Sequence, residues 1–223
     1  MTEPHEKIVY FVRHGQSEGN ISPVFQASDS SLTELGKKQA KEIAGRIAKL
    51  SFEGLIASPF ERAKQTAIAI TNTTGKKVEY SELFVERIKP TNVCGKLYTD
   101  EKAGALWKVW KKSLYAPGLR VEDGENYDDI IGRADNALDF LKNQKGDVVV
   151  VTHGFFLQTI VARAILGDAL TPDIFKNFQT HLQMENTGLT VLKYKYNENR
   201  YSEDEERFAW RLWIYNDHAH LAD

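Results

Sequence analysis

Hydrophobic positions in this chain fall into two kinds of pattern. Short continuous runs rich in β-branched residues occur at 8–12 and 148–151, and each has the length of a strand buried on both faces. Longer stretches at helical spacing separate them. Thr33 stands as an N-cap with Glu34 in the first turn, opening an amphipathic helix through about residue 50. Residues 55–57 (Leu-Ile-Ala) read as a short buried strand. Ser58-Pro59 then starts a helix to about residue 71, proline being favoured in a first turn. Residues 77–80 are a further strand candidate. In 125–141 the apolar positions Ile130, Ile131, Ala134, Ala137, Leu138 and Leu141 recur at helical spacing, and a helix over 155–166 follows the second apolar run. Two β-rich segments, 187–196 and 208–215, close the chain around an acidic polar turn. This alternation predicts an α/β fold, a three-layer α/β/α sandwich around a mostly parallel sheet.

Between 83 and 124 the periodicity breaks down around Pro90, Gly95, Gly104, Pro117 and Gly118, leaving a short helical piece near 103–112. The expectation is a single domain over 1–223, with an insertion at about 84–124 lying over the active site. The stretch from Glu86 to Arg120 carries eight Lys/Arg (Arg87, Lys89, Lys96, Lys102, Lys108, Lys111, Lys112, Arg120) against Glu86, Asp100 and Glu101. A basic segment of this kind predicts a lid that favours anionic substrates, unless it is only a solvated helix face. Trp107 and Trp110, three apart, share one helix face and read as core.

Composition sets bounds on function. A chain of 223 residues with 42% hydrophobic and 27% charged residues can build its own core. A formal net charge of -2 argues against a general nucleic-acid binder. The single cysteine, Cys94, excludes an internal disulfide and fits a reducing compartment. The polar start of the chain and the lack of any run of membrane-spanning length predict a cytoplasmic protein with no signal peptide or anchor. No metal site is expected, since His218 and His220 lack accompanying carboxylates, and His5 and His181 read as ordinary. Trp210, Trp213 and Tyr215 suit either a core or a homodimer interface.

The chemistry concentrates at two strings that end predicted strands, Arg13-His14-Gly15 and Thr152-His153-Gly154. Strand C-termini of an open α/β sheet converge on one crevice, so the two histidines are expected in one pocket. Around them stand Gln16-Ser17-Glu18-Gly19-Asn20, Ser58-Pro59-Phe60-Glu61-Arg62-Ala63, Leu32-Thr33-Glu34-Leu35-Gly36, Gly124-Glu125-Asn126, Asn186-Thr187-Gly188 and Asn216-Asp217-His218. This set resembles the histidine phosphatase superfamily in its phosphoglycerate mutase-like branch, across nearly the whole chain. A neutral imidazole attacks an anionic phosphate ester without charge repulsion, so His14 is the expected nucleophile, passing through phosphohistidine. Arg13 and Arg62 are bidentate donors to phosphoryl oxygens. His153, if protonated, would add another. Asn20 matches a loop position where the family contacts phosphate, Ser17 assists, and Gly15 and Gly154 allow close backbone approach. The resemblance places the general acid/base at Glu86, with Glu18 as the runner-up. The other branch's His-Asp pair is absent here, where His153-Gly154-Phe155 stands.

The resemblance implies a metal-independent phosphomonoesterase acting on small anionic metabolites, without a cofactor. The alternatives are a cofactor-primed phosphoglycerate mutase or sugar bisphosphatase, and a phosphoprotein or phosphohistidine phosphatase with a regulatory role. Mutases of this type carry an Arg-His-Tyr-Gly-type continuation after the acid glutamate, an adjacent arginine pair further on and a tryptophan before the loop asparagine. Here Glu86-Arg87 continues as Ile88-Lys89-Pro90, Lys111-Lys112 stands where arginines would, and Gly19 precedes Asn20. These departures favour hydrolysis.

Overall fold

Val148–Thr152, four valines and a threonine, is buried at every position, which only a strand covered on both faces can be. The structure, a computed structural model, describes residues 6–196 and 208–221. Its strands are β1 (Lys7–Arg13), β2 (Gly54–Ala57), β3 (Val78–Tyr80), β4 (Val148–Thr152), β5 (Leu189–Tyr196) and β6 (Phe208–Asp217), in the spatial order β3-β2-β4-β1-β5-β6. The first four in that order run parallel, β5 is antiparallel to β1, and β6 is antiparallel to β5. The helices are α1 (Glu18–Ile21), α2 (Glu34–Ile47), α3 (Glu61–Thr74), α4 (Glu101–Lys112), α5 (Tyr127–Lys142), α6 (Gly154–Leu166) and α7 (Pro172–His181).

Period-two alternation along the strands divides the core in two. Val148 and Val150 join Val9 and Phe11 against α5 and α6, through Ile130, Leu138, Phe156 and Ile160. Val149 and Val151 join Val12 and Leu55 against α2 and α3, through Ile43, Ile47, Ala63 and Ile70. The three layers expected from the sequence are these two helix pairs and the sheet between them.

Several boundaries differ from the sequence reading. Helix α3 begins at Glu61 with Phe60 as N-cap, so Pro59 lies in the preceding turn, and the helix runs on to Thr74, where Gly75 ends it at φ 71°. The helix expected over 155–166 starts one residue earlier, with His153 as its N-cap. Helix α7 was not expected at all. Its start signals are present in the chain: Thr171 Oγ1 accepts from Ile174 N at 3.3 Å and Pro172 occupies the first turn. His5 and the acidic turn at 197–207 lie outside the described residues.

The segment between β3 and α5 is ordered around α4, capped by Asp100 accepting from Ala103 N at 3.0 Å. A small cluster of Phe25, Val93, Ala103, Leu106 and Trp107 fastens it to the loop after α1, together with backbone bonds Phe25 N to Lys96 O (2.9 Å) and Gly95 N to Phe25 O (2.7 Å). Trp110 is core, as expected, but Trp107 is only half-buried. At the chain's end Trp210 and Tyr215 pack against the α5–α6 core, whereas Trp213 is exposed with Lys193 Nζ 3.7 Å from its ring centre. No helix among the described residues is long and apolar enough to cross a membrane.

Candidate active site

β1 and β4 lie side by side and parallel, with Arg13 opposite Thr152. The residues that follow them, His14 and His153, therefore emerge together, with ring centroids 5.0 Å apart. Both are buried. His14 Nδ1 lies 2.7 Å from the Gly15 carbonyl, an acceptor only, so the ring proton sits on Nδ1. Its other nitrogen, Nε2, keeps a lone pair and accepts from Arg62 Nε at 3.1 Å. Burial, reinforced by the Arg62 and Arg13 charges, holds the imidazole well below its usual pKa and therefore neutral.

Arg62 reaches this point because α3 starts beside the end of β2 and turns its second residue inward. It is 1% exposed and anchored by Nη1 on the Ala27 carbonyl at 3.0 Å. Its pKa is brought down to about 10, chiefly by burial, which leaves it charged at neutral pH. Arg13 donates to the Met184 carbonyl and leaves Nε buried without a partner. In His153, Nε2 lies 2.8 Å from Ser58 Oγ, and Ser58 Oγ also accepts from Phe60 N at 3.2 Å. The other ring nitrogen, Nδ1, is buried and unpartnered. His153 is likewise held neutral, by burial first and then by Arg62 and its neighbours. That shift favours the neutral ring over the protonated donor expected from the sequence.

Glu86 is fixed at the N-terminus of α6. Its Oε1 accepts from Phe156 N and from Arg87 N, each at 3.0 Å, and Oε2 from Phe155 N at 3.3 Å. The helix dipole favours a carboxyl group there. The same carboxylate acts through its charge on Arg13, Arg62, Arg87 and Lys89, which places it at the rim of the cationic pocket. Glu18, by contrast, is exposed at the start of α1. The loop carrying Glu86 is held by residues with no chemistry of their own. Arg133 Nη1 binds the Leu83 and Val85 carbonyls at 3.2 and 2.8 Å, and its ion pair with Glu125 spans 2.7 Å.

The remaining sequence candidates lie in the segments that follow the two histidines. Ser17 is fully buried, donates to Asn20 Oδ1 at 3.0 Å and accepts from Gln26 Nε2 at 2.6 Å, so it braces the loop. Asn20 is exposed, and lines a cavity with Gln26, Glu86 and Lys89. The close approach at Gly15 is to the protein itself: a Cβ there would fall 2.5 Å from the Gly36 carbonyl oxygen. One on Gly154 would fall 3.2 Å from Arg13 Nε. Of the eight basic residues between Glu86 and Arg120, Arg87 is buried beneath Trp110 and Arg120 pairs with Asp129 at 2.8 Å.

Sequence reasoning gave no role to several residues that position His14 and its neighbours. Thr187 N donates to Arg13 O at 3.0 Å, and Asn186 Nδ2 donates to His14 O at 2.9 Å. Thr187 sits at φ 59°, unusual for a β-branched residue. Its hydroxyl lies 3.1 Å from His220 Nε2, so His220, read as ordinary, has a partner after all. Lys89, half-buried, lines the same cavity as Glu86 and Asn20. Among the described residues no group of three or more His, Cys, Asp or Glu is placed to hold a metal.

The family model for the histidine phosphatase superfamily, branch 1, matches residues 9–204. The chain belongs to that superfamily. A Photorhabdus laumondii protein described as a probable phosphoglycerate mutase, GpmB, is 29% identical over 197 residues, which cover 84% of this chain and 85% of that one. A Schizosaccharomyces pombe protein described as a probable phosphatase is 33% identical over 172 residues, or 72% of this chain and 57% of its own length. Among solved structures, a mycobacterial glucosyl-3-phosphoglycerate phosphatase shares the fold at a TM-score of 0.71 and 22% identity, over 95% of this chain and 99% of that one. This histidine phosphatase thus has relatives described both as mutases and as phosphatases.

Proposed function

We propose that the chain is a metal-independent phosphomonoesterase that works through a phosphohistidine on His14. The observation that carries this reading is the His14 imidazole: neutral, with Nδ1–H tied to Gly15 O at 2.7 Å and the Nε2 lone pair turned toward Arg62. Nε2 attacks phosphorus, forming the P–N bond as the ester P–O bond breaks. Glu86, in its acid form, gives its proton to the departing alkoxide. Water then attacks phosphorus and passes a proton to Glu86, the P–N bond breaks, and inorganic phosphate leaves with the imidazole restored. Arg13 Nε, Arg62 and His153 Nδ1 are the donors for the phosphoryl oxygens, and Asn20 approaches from the loop side. The segment 84–124 acts as a lid within a single domain, presenting Lys89, Lys108 and Lys111 to an anionic small-molecule substrate.

The mutase reading draws support from relatives described as GpmB, and it requires a bisphosphorylated primer. The chain favours hydrolysis, because Gly19 and Lys111-Lys112 replace the tryptophan and arginine pair of the mutase pattern. The deciding experiment follows phosphate release from p-nitrophenyl phosphate and a panel of metabolite phosphates in EDTA, with 3-phosphoglycerate tested with and without 2,3-bisphosphoglycerate. Release in EDTA without primer, and a phosphorylated His14 peptide after a rapid alkaline denaturing quench, are the expected results. Primed isomerisation without net release would establish the mutase instead.

A further inference from the structure

Beyond Glu86, away from the two histidines, a cavity of about 230 Å³ opens beneath α4. Its walls are Trp107, Trp110, Leu114, Tyr115 and Phe155. An apolar cavity of roughly 150 Å³ is enough to hold benzene, so this one takes a ring with a short substituent. It borders the reaction centre at two residues. Glu86 lines it, and Phe155, which follows His153-Gly154, donates its N–H to the same carboxylate.

That border bears on what enters, although Glu86 also faces the cavity it shares with Asn20 and Gln26. The alcohol oxygen of a phosphate ester must lie at the group that protonates it, so the rest of the alcohol extends on the Glu86 side. Its polar groups are the charged Glu86, Arg87, Lys89 and Lys111 and the Tyr115 hydroxyl, while the aromatic faces offer none and the Trp110 indole N–H is already committed to the Glu125 carbonyl at 3.0 Å. A polyol would lose hydration along the aromatic faces that these groups replace only in part. An aromatic or otherwise ring-bearing alcohol would stack and be desolvated at no such cost. The cavity also carries positive charge. Arg87, held 3.6 Å from the Trp110 ring centre, donates to the Trp110 and Glu125 carbonyls and to Ser113 Oγ, none of them anionic, while Lys111 stands exposed at the rim.

We infer that this cavity is the leaving-group subsite, and that the substrates are phosphate monoesters of ring-bearing apolar alcohols carrying a distal carboxylate. The inference rests on the phosphomonoesterase reading. Its test compares kcat/KM for ethyl phosphate, glycerol 3-phosphate, 2-phenylethyl phosphate and 2-(4-carboxyphenyl)ethyl phosphate, all esters of primary alcohols. The expected order places 2-phenylethyl phosphate at least about tenfold above ethyl and glycerol phosphates, with a further severalfold gain from the carboxylate. Trp107→Ala should bring the phenylethyl-to-ethyl ratio toward one, and Lys111→Gln should remove the carboxylate gain. Since Trp107 also packs on Phe25, the unaltered chain supplies a second readout: 2-phenylethylphosphonate should change tryptophan fluorescence and bind at least about tenfold more tightly than methylphosphonate. Hydrolysis of all four esters at similar kcat/KM, or equal binding of the two phosphonates, would overturn the subsite while leaving the hydrolase intact. Hydrolysis of none would overturn both.

Discussion

The anion cradle and the segment above it are built on different principles. In the cradle, His14 and His153 follow adjacent parallel strands and Arg62 enters from the first turn of a helix, so regular secondary structure sets each position. Above it, 84–124 is placed by side chains: Arg87 inserted under Trp110, Trp107 stacked between Phe25 and Trp110, and Arg133 binding the Leu83 and Val85 carbonyls. On the proposed reading, the first arrangement fixes what reaction is possible and the second selects the molecule that undergoes it. Rigid strand ends can keep one chemistry while a side-chain-packed cover changes its lining.

Substitutions in the two regions should therefore differ in size and in kind. His14→Ala should lower kcat/KM on every ester by on the order of 10⁴-fold or more, with an unchanged circular dichroism spectrum. A residual rate much above that, in an assay free of contaminating phosphatase, would remove His14 as nucleophile. Glu86→Gln stands at the junction of the two regions, and its effect should depend on the ester. Alkyl phosphates should slow by roughly 10²- to 10⁴-fold and p-nitrophenyl phosphate by much less, because nitrophenolate leaves without a proton. Equal slowing of both would assign proton transfer to another group.

Arg87→Met tests the upper region alone. It removes hydrogen bonds to two carbonyls and a hydroxyl and should cost about 2–3 kcal/mol in a urea denaturation midpoint analysis. Its effect on p-nitrophenyl phosphate turnover should be smaller than that of Glu86→Gln. The smallest expected effect is on pH dependence. His14 and His153 are held neutral with pKa values well below the ordinary 6.5, so the unfolded chain binds more protons than the folded one once the pH drops below that value. Stability should be flat in this respect above about pH 7 and should fall as the pH drops from about 6.5 toward 5. Thermal melts of the chain and of His153→Gln, compared over that range, should show a shallower fall in the variant.

Legibility in the sequence divides along the same line. The runs at 8–12 and 148–151 announced their strands because continuous valine and isoleucine are hard to place otherwise, and the histidines that follow them come together for the same reason. Pro59 was misleading, because its fixed φ suits the turn before α3 as well as a helix's first turn. Helix α7 escaped notice although Thr171-Pro172 marks its start. The roles of Thr187 and His220 were not legible, since they depend on β5 and the last turn of the chain passing behind the loop of His14. Arg87 is the clearest case. Charge counting put it in the basic lid, whereas stacking on Trp110 and neutral acceptors bury it.

The position of β1 bears on how the protein comes into being. Its neighbours in the sheet are β4 and β5, and Ile8 N donates at 2.8 Å to Asp147, 139 positions away. During synthesis His14 emerges long before β4 and β5, the strands that support it. Such distant pairing makes folding slow and late. A nascent chain that stops before Thr187 lacks the N–H that seats the Arg13 carbonyl, so the loop of His14 should settle in one cooperative event only after Thr187 has been added.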